Sequence, residues 1–252
     1  NEGRGSTVFL LHLHVISEWI SRRLSLQDEG IYICYVGTAL NSAPNKVVLK
    51  VGAFFMPQLK YEREQTSMFL TCCVLTAYPR PTITWHMDNT IISESIIEEM
   101  EPLSQFSIKS TLTNTFSNTS YECVIKNSLL QQTWTGRWTM KNQLHKMSRE
   151  NISLSCPLSN NFSLLNQDFI VTWSKIKNGT SSVLAYFLSS SQNSSISESR
   201  FLWNKQLMNQ NDFSSTLINL DLSDSAEYLC NISSSKYTSL TVHILDVGTF
   251  WG

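Results

Sequence analysis

The chain has 252 residues, of which 42% are hydrophobic and 15% are charged, and its formal net charge is −1 at pH 7. This length gives room for two to three small domains. Because no run of Lys or Arg is longer than Arg22-Arg23, binding to nucleic acid or to an anionic membrane has no electrostatic support. The most apolar early stretch, residues 7–16, is about half of the ~20 residues that a membrane-spanning helix needs.

The first predicted elements lie in residues 1–52, where Tyr32 stands two residues before Cys34. The same spacing of tyrosine and cysteine returns in residues 121–123 and 228–230. In a β-strand, residues two apart face the same way, so each tyrosine and its cysteine enter a core together. Strand F of an immunoglobulin sandwich is built in this way, with a tyrosine corner beside the cystine that joins the two sheets.

Residues 1–52 therefore predict only the end of a variable-type sandwich. A turn-like stretch, residues 37–44, follows Cys34, and residues 45–51 have the character of strand G. Strands A to D have no room, so one face of this partial core is uncovered, and we expect the segment to be poorly determined or to stick to a neighbour. The chain begins at Asn1 without a charged leader, which favours an N-terminally truncated product.

A cysteine followed by a tryptophan, the second part of the immunoglobulin pattern, occurs twice, at Cys72 with Trp85 and at Cys156 with Trp173. In such domains this tryptophan of strand C packs on the disulfide. We therefore pair Cys72 with Cys123 and Cys156 with Cys230. The paired cysteines are 51 and 74 residues apart, so each bridge contributes roughly 4 kcal/mol in the chain-entropy model. Two such bridges predict an oxidising compartment.

Residues 53–142 are predicted to form a complete constant-type domain. Only 36 positions separate the strand C tryptophan from the strand F tyrosine, which is enough for strands D and E but not for a C′–C″ hairpin. Strand G is expected at residues 132–140, where Trp134, Gly136 and Trp138 share one face. We interpret these two tryptophans as packing residues.

Residues 143–247 are predicted to form a variable-type domain. Here 55 positions separate the strand C tryptophan from the strand F tyrosine. This length suits C′ and C″ strands, for instance within residues 182–188. Arg200 stands where it can pair with Asp224 across the base of the sandwich. Strand G is expected at residues 240–244, and residues 248–252 form a tail. The predicted fold class is all-β, with tandem immunoglobulin-like β-sandwiches of partial variable, constant and variable type.

Two cysteines, Cys34 and Cys73, have no partner in this scheme. The register in which Cys72 and Val74 both face inward leaves Cys73 facing outward as a free thiol. A bond between Cys34 and Cys73 is the alternative, and it requires the first domain to approach the outer face of the second.

Six Asn-x-Ser/Thr sequons predict glycosylation of a secreted chain. They begin at Asn118, Asn151, Asn161, Asn178, Asn193 and Asn231. By strand parity Asn151 and Asn231 point away from the core that Cys156 and Cys230 enter. Five of the six lie in the last domain, which favours a sugar-coated spacer over a docking surface.

Nothing in the sequence predicts an enzyme, a metal centre, a cofactor or a small-molecule substrate. The histidines are scattered, and only His12 and His14 resemble a ligand pair, which is too few for zinc. No nucleophile, base and orienting residue stand at a recognisable spacing. Cys73 has no neighbouring basic residue in the sequence that would lower its pKa.

From about residue 21 to residue 247 the chain resembles the B7 family of T-cell ligands. The resemblance is carried by residues 28–39, 45–52, 78–85, 132–141 and 184–193, among them the run YPRPTITW at residues 78–85. The order variable, constant, variable adds to it. Residues 1–20 do not resemble the family, and the C and C′ strands of the first domain are absent, which leads us to expect an incomplete receptor site.

The resemblance implies a ligand on the outer side of the plasma membrane, held by a single type I span that this chain lacks. Its expected partners are immunoglobulin-superfamily receptors on T cells and natural killer cells. The family docks with the front sheet of the first variable domain, which here makes Ile31, Ile33 and Tyr35 the candidate receptor contacts. An equally open interpretation is that these residues cover a neighbouring strand. An adhesion protein and a soluble decoy are the alternative functions.

Overall fold

The computed structural model describes residues 24–37, 42–65, 67–100, 105–113, 119–158 and 167–249. It opens on a two-stranded hairpin, in which β1 (Gly30–Gly37) pairs antiparallel with β2 (Ser42–Leu49). A short 3-10 turn, Leu26–Asp28, precedes β1, and the hydroxyl of Tyr32 donates to the carbonyl oxygen of Asp28 at 2.7 Å. This bond is the tyrosine corner of a strand F, and β2 is the predicted strand G shifted toward the N-terminus.

The middle sandwich has two four-stranded sheets. One sheet contains β3 (Ala53–Glu64), β4 (Ser67–Tyr78), β7 (Ile96–Met100) and β8 (Phe106–Thr113) in the order β3-β4-β8-β7. The other contains β5 (Thr82–Met87), β6 (Thr90–Ile92), β9 (Ser120–Asn127) and β10 (Gln132–Met140) in the order β10-β9-β5-β6. Strand G lies where the sequence predicted it.

Strand β6 was not expected from the length of the C-to-F interval. Asp88 and Asn89 both have positive φ, 45° and 71°, and they close a tight turn that folds three residues back onto β5. Two consecutive left-handed residues are typical of the type I′ hairpin, for which Asp and Asn are suited. Because β6 has only three residues, it fits within the interval between strands C and F. The length of that interval alone therefore could not exclude β6.

The C-terminal sandwich begins with β11 (Leu144–Met147) and ends with β19 (Tyr237–Gly248). Its front sheet has the order β15-β14-β13-β18-β19, formed by β13 (Phe169–Lys177), β14 (Thr180–Leu188), β15 (Asn193–Ile196), β18 (Ala226–Ser234) and β19. Its back sheet contains β12 (Ile152–Leu154), β17 (Ser215–Leu217) and β16 (Phe201–Trp203), with helix α1 (Lys205–Met208) beyond β16. Strands β14 and β15 are the predicted C′ and C″ pair, while β19 is longer than the strand G expected.

Each sandwich is built around one tryptophan next to its disulfide. Trp85 lies beside Cys123 across β5 and β9, and its indole N–H donates to Ser110 at 2.9 Å. Trp173 lies beside Cys230 in the same way, and both tryptophans are buried. Their neighbours form two cores, because the inward positions of facing sheets alternate with outward ones.

The front sheets of the two sandwiches are continuous. Strand β10, the last strand of the middle sandwich, pairs parallel with β19, the last strand of the C-terminal one, from Thr135 opposite Tyr237 to Met140 opposite Val242. Strand β11 also lies parallel to β19, farther along it. The result is a single ten-stranded sheet that passes through both sandwiches. Hydrophobic patterning within each sandwich gives no indication of this pairing.

Candidate interaction surfaces

The hairpin carries an apolar strip formed by Ile31, Ile33 and Val48. Ile31 and Ile33 are two residues apart on β1, and Val48 lies directly opposite Ile31 on β2, so all three face the same way. Their side chains are 66%, 46% and 58% exposed. The structure thus brings together two of the three predicted receptor contacts and adds Val48, which sequence reasoning missed. The side chain of Tyr35 lies outside the described residues.

A groove connects this strip to the end of the middle sandwich. Its volume is about 490 Å³, and its walls include Ile31 and Val48 on the hairpin and Tyr78, Pro79 and Leu129 on the sandwich. The strip is therefore not an isolated patch on a two-stranded ribbon. It continues along apolar and aromatic side chains toward the β4–β5 turn.

The disulfides join Cys72 to Cys123 and Cys156 to Cys230, the two pairs predicted from the sequence. Cys73 is free, as expected. The side chain of Cys34 lies outside the described residues, so the alternative bond between Cys34 and Cys73 involves an undescribed partner. Both bridges connect the two sheets of their own sandwich, as the immunoglobulin fold requires.

Cys73 faces outward as a free thiol, as predicted, but neighbouring strands cover it. It is paired across the sheet with Gln58 and Lys109 and does face away from the core, yet it is buried. Burial raises the pKa of the Cys73 thiol, and the opposing effect of Lys60 and Lys109 is smaller. Two basic residues lie near it although none adjoins it in the sequence, because the adjacent strands supply them. A buried thiol with a raised pKa is a poor nucleophile.

Asp224 organises the base of the C-terminal sandwich. Arg200 donates to both of its carboxylate oxygens at 2.8 and 3.0 Å, and Lys175 donates at 3.0 Å. The hydroxyl of Tyr228 donates to the Asp224 carbonyl at 2.9 Å, which repeats the tyrosine corner of the hairpin. Burial opposes ionisation, but the bonds from Arg200, the backbone N–H of Asp221 and Lys175 outweigh it and lower the pKa of Asp224 to about 2. The predicted ion pair is confirmed.

The sequons differ in how their asparagine side chains are placed. Asn178 has positive φ, 52°, in the β13–β14 turn and is exposed, and Asn193 is exposed at the start of β15. Asn151 is exposed, and its side-chain oxygen accepts from the backbone N–H of Asn219 at 2.9 Å. The side-chain oxygen of Asn231 is buried, although the residue lies on the outward face of β18. The sequons at Asn118 and Asn161 lie outside the described residues.

A smaller polar recess of about 230 Å³ lies on the middle sandwich between His86, Asp88, Ser120 and the Glu122–Arg137 ion pair. In the ranges that the structure describes, no three His, Cys, Asp or Glu side chains come together as a metal site would need. None of the helices in this part of the chain has the length and hydropathy of a bilayer-spanning segment. His12 and His14 lie outside the described residues.

Comparison with known proteins gives a family match for the C-terminal sandwich and relatives for a larger part of the chain. A model of the immunoglobulin V-set domain matches residues 139–246. The chain is 64% identical over 226 residues to HERV-H LTR-associating protein 2 of Homo sapiens, which covers 90% of this chain and 55% of that protein. It is 27% identical over 118 residues to the V-set domain-containing T-cell activation inhibitor 1 of Rattus norvegicus, which covers 44% of this chain and 42% of that protein.

The chain thus spans about half the length of the curated relatives it matches. Among solved structures, the full ectodomain of mouse nectin-like molecule 4 has a TM-score of 0.34 and 17% identity, over 91% of this chain and 76% of that chain. The V-set match covers the sandwich that contains Trp173, Cys230 and the Asp224 cluster. The chain thus carries, at residues 139–246, an immunoglobulin V-set domain of the type found in cell-surface proteins, and it is similar to HERV-H LTR-associating protein 2 and, over part of its length, to a V-set T-cell activation inhibitor.

Proposed function

We propose that the chain is part of a cell-surface ligand that binds immunoglobulin-superfamily receptors on T cells and natural killer cells and regulates their proliferation and cytokine production. The observation that supports the proposal is its similarity to V-set immune regulators, one of which is named a T-cell activation inhibitor. The fold adds a physical reason, because stacked sandwiches present sheet faces and loops rather than a catalytic cleft.

The apolar strip of Ile31, Ile33 and Val48 is the docking surface that we assign to this function. Exposed apolar side chains on adjacent strands give a flat surface, and covering them releases about 25 cal/mol per Å² of buried apolar area. Lys46 lies opposite Ile33, and Lys50 borders the groove together with Glu29, so two basic groups and one acidic group flank the strip. A receptor surface with an apolar centre and acidic side chains at its rim would complement it.

The test is staining of activated T cells and natural killer cells with the chain displayed as a fluorescent multimer, which compensates for weak single-site affinity. We expect staining that an excess of the unlabelled chain competes away. Staining that the unlabelled chain does not compete, or no staining of either cell type, would contradict the proposal. A chain that instead forms dimers in analytical ultracentrifugation and stains only cells displaying the same chain would favour homophilic adhesion through the same strip.

A further inference from the structure

The contact between the two sandwiches is more than the approach of two surfaces, because their backbones are hydrogen-bonded. The N–H of Thr135 on β10 donates to the carbonyl oxygen of Lys236 at 3.1 Å, and the N–H of Lys141 donates to that of Val242 at 2.9 Å. These bonds lie at the two ends of the parallel β10–β19 ladder. Neither N–H would have this partner if the sandwiches separated. We call the β10–β19 ladder, with the side chains packed along it, the interdomain joint.

Strand β19 contributes to two cores at once. Leu240 and Val242, beside Trp138 and Met140 of β10, are buried in the core of the middle sandwich. Leu245 belongs to the core of the C-terminal sandwich. Leu240 and Val242 are 2% and 0% exposed. Separation of the sandwiches would expose these two side chains and open the core around Trp138, so the joint is stabilised by the same burial that stabilises each sandwich.

A buried carboxylate beside the interdomain joint links the two sandwiches. Glu227 on β18 forms an ion pair with Arg63 of β3, and it accepts a hydrogen bond at 3.1 Å from the hydroxyl of Tyr61. Tyr61 in turn packs on Trp138 with ring centroids 5.7 Å apart. Glu227 is only 8% exposed. A carboxylate this buried is tolerated when it is paired and hydrogen-bonded, and here both partners come from the other sandwich.

We propose that the interdomain joint makes the middle and C-terminal sandwiches one cooperative folding unit. In this unit, the middle sandwich permanently covers the outward surface of strands β18 and β19 of the C-terminal sandwich. The surface concerned contains Glu227, Leu229 and Ile244, with Tyr61 and Arg63 of β3 lying over Glu227. No other protein can dock on this surface while the joint is closed. This inference does not depend on the proposed receptor, since it rests on contacts within the chain.

The experiment is hydrogen–deuterium exchange of the whole chain, resolved to single residues, together with calorimetry. In the parent we expect the amides of Thr135 and Lys141 to be protected to the same extent as the core strands, and a single thermal transition for both sandwiches. Exchange of these two amides at the rate of an unstructured peptide, or two separate thermal transitions, would overturn the proposal without any mutation.

Two variants test whether contacts at the interdomain joint protect these amides from exchange. Glu227→Gln removes the charge that Arg63 neutralises, and Tyr61→Phe removes only the hydroxyl group, so the second variant leaves the strand packing in place. We expect exchange at Thr135 and Lys141 to become about tenfold faster in each variant. Glu99→Gln is the matched control, because it removes a carboxylate that is bonded to Arg80 within the middle sandwich. A control that accelerates the two amides as much as Glu227→Gln would show that the joint is not the cause.

Discussion

Replacement of both Cys156 and Cys230 by alanine is expected to lower the free energy of unfolding of the unit formed by the middle and C-terminal sandwiches by about 4 kcal/mol. The bridge spans 74 residues, and its loss restores conformational freedom to a long loop in the unfolded chain. The packing of Trp173 against the bridge is lost as well. Urea unfolding followed by tryptophan fluorescence and circular dichroism measures the change.

The control for this prediction is Cys73→Ala, which also removes a sulfur atom but breaks no covalent link. Because Cys73 is buried on the outer face of β4, we expect a cost of about 1 kcal/mol from lost packing. Equal destabilisation by the two changes would mean that side-chain packing, and not the cross-link, accounts for the stability assigned to the bridge.

Asp224→Asn is expected to destabilise the unit formed by the two sandwiches by about 3 kcal/mol, since it removes a buried carboxylate that Arg200 and Lys175 share. Arg200 keeps its longer pairs with Glu198 and Asp221. Arg200 and Lys175 both lose an ionised acceptor, while the tyrosine corner keeps its bond because Tyr228 donates to the backbone. Denaturant unfolding at pH 7 measures this change in the free energy of unfolding. Asp246→Asn is the control, because Asp246 forms a surface pair with His145 at 3.3 Å and both side chains are mostly exposed. Similar losses in the two variants would refute the role given to Asp224.

The same cluster predicts how stability depends on pH. The pKa of Asp224 is about 2 in the folded chain, below its value of 3.8 in a model peptide. A depressed pKa stabilises the fold fully above the unfolded value, and this stabilisation is lost as pH falls from about 4 toward 2. The parent should therefore lose more stability than Asp224→Asn over this window. Equal acid sensitivity of the two proteins would mean that other carboxylates govern acid unfolding.

Much of this fold could be predicted from the spacing of a few residues. Tyr228 and Cys230 on one strand, and Trp173 on its neighbour, define the sandwich core because β-strands alternate inward and outward positions. The pairing of Arg200 with Asp224 followed from their spacing, because variable-type domains place an ion pair at these positions across the base of the sandwich. Local patterns of this kind are set by the backbone period, so they can be read without knowledge of the tertiary contacts.

Apart from the short β5–β6 hairpin, the features that the sequence did not predict depend on contacts between different strands. The burial of Cys73 comes from residues of β3 and β8, and the interdomain joint comes from two strands whose alternation is satisfied whether or not they meet. Val48 joined the apolar strip only through its register opposite Ile31. Sequence periodicity predicts which face of a strand is apolar, but it does not specify what covers that face.

The docking surface on the hairpin is tested by changing both Ile31 and Ile33 to glutamate and measuring the affinity of the multimeric chain for activated T cells and natural killer cells. We expect binding to weaken about tenfold or more, because two apolar contacts are lost and carboxylates must be desolvated. Ile91→Glu is the matched control, since Ile91 is a 74% exposed side chain on the middle sandwich. Binding by the double variant that equals the parent and the control would contradict the assignment of the docking surface to the hairpin.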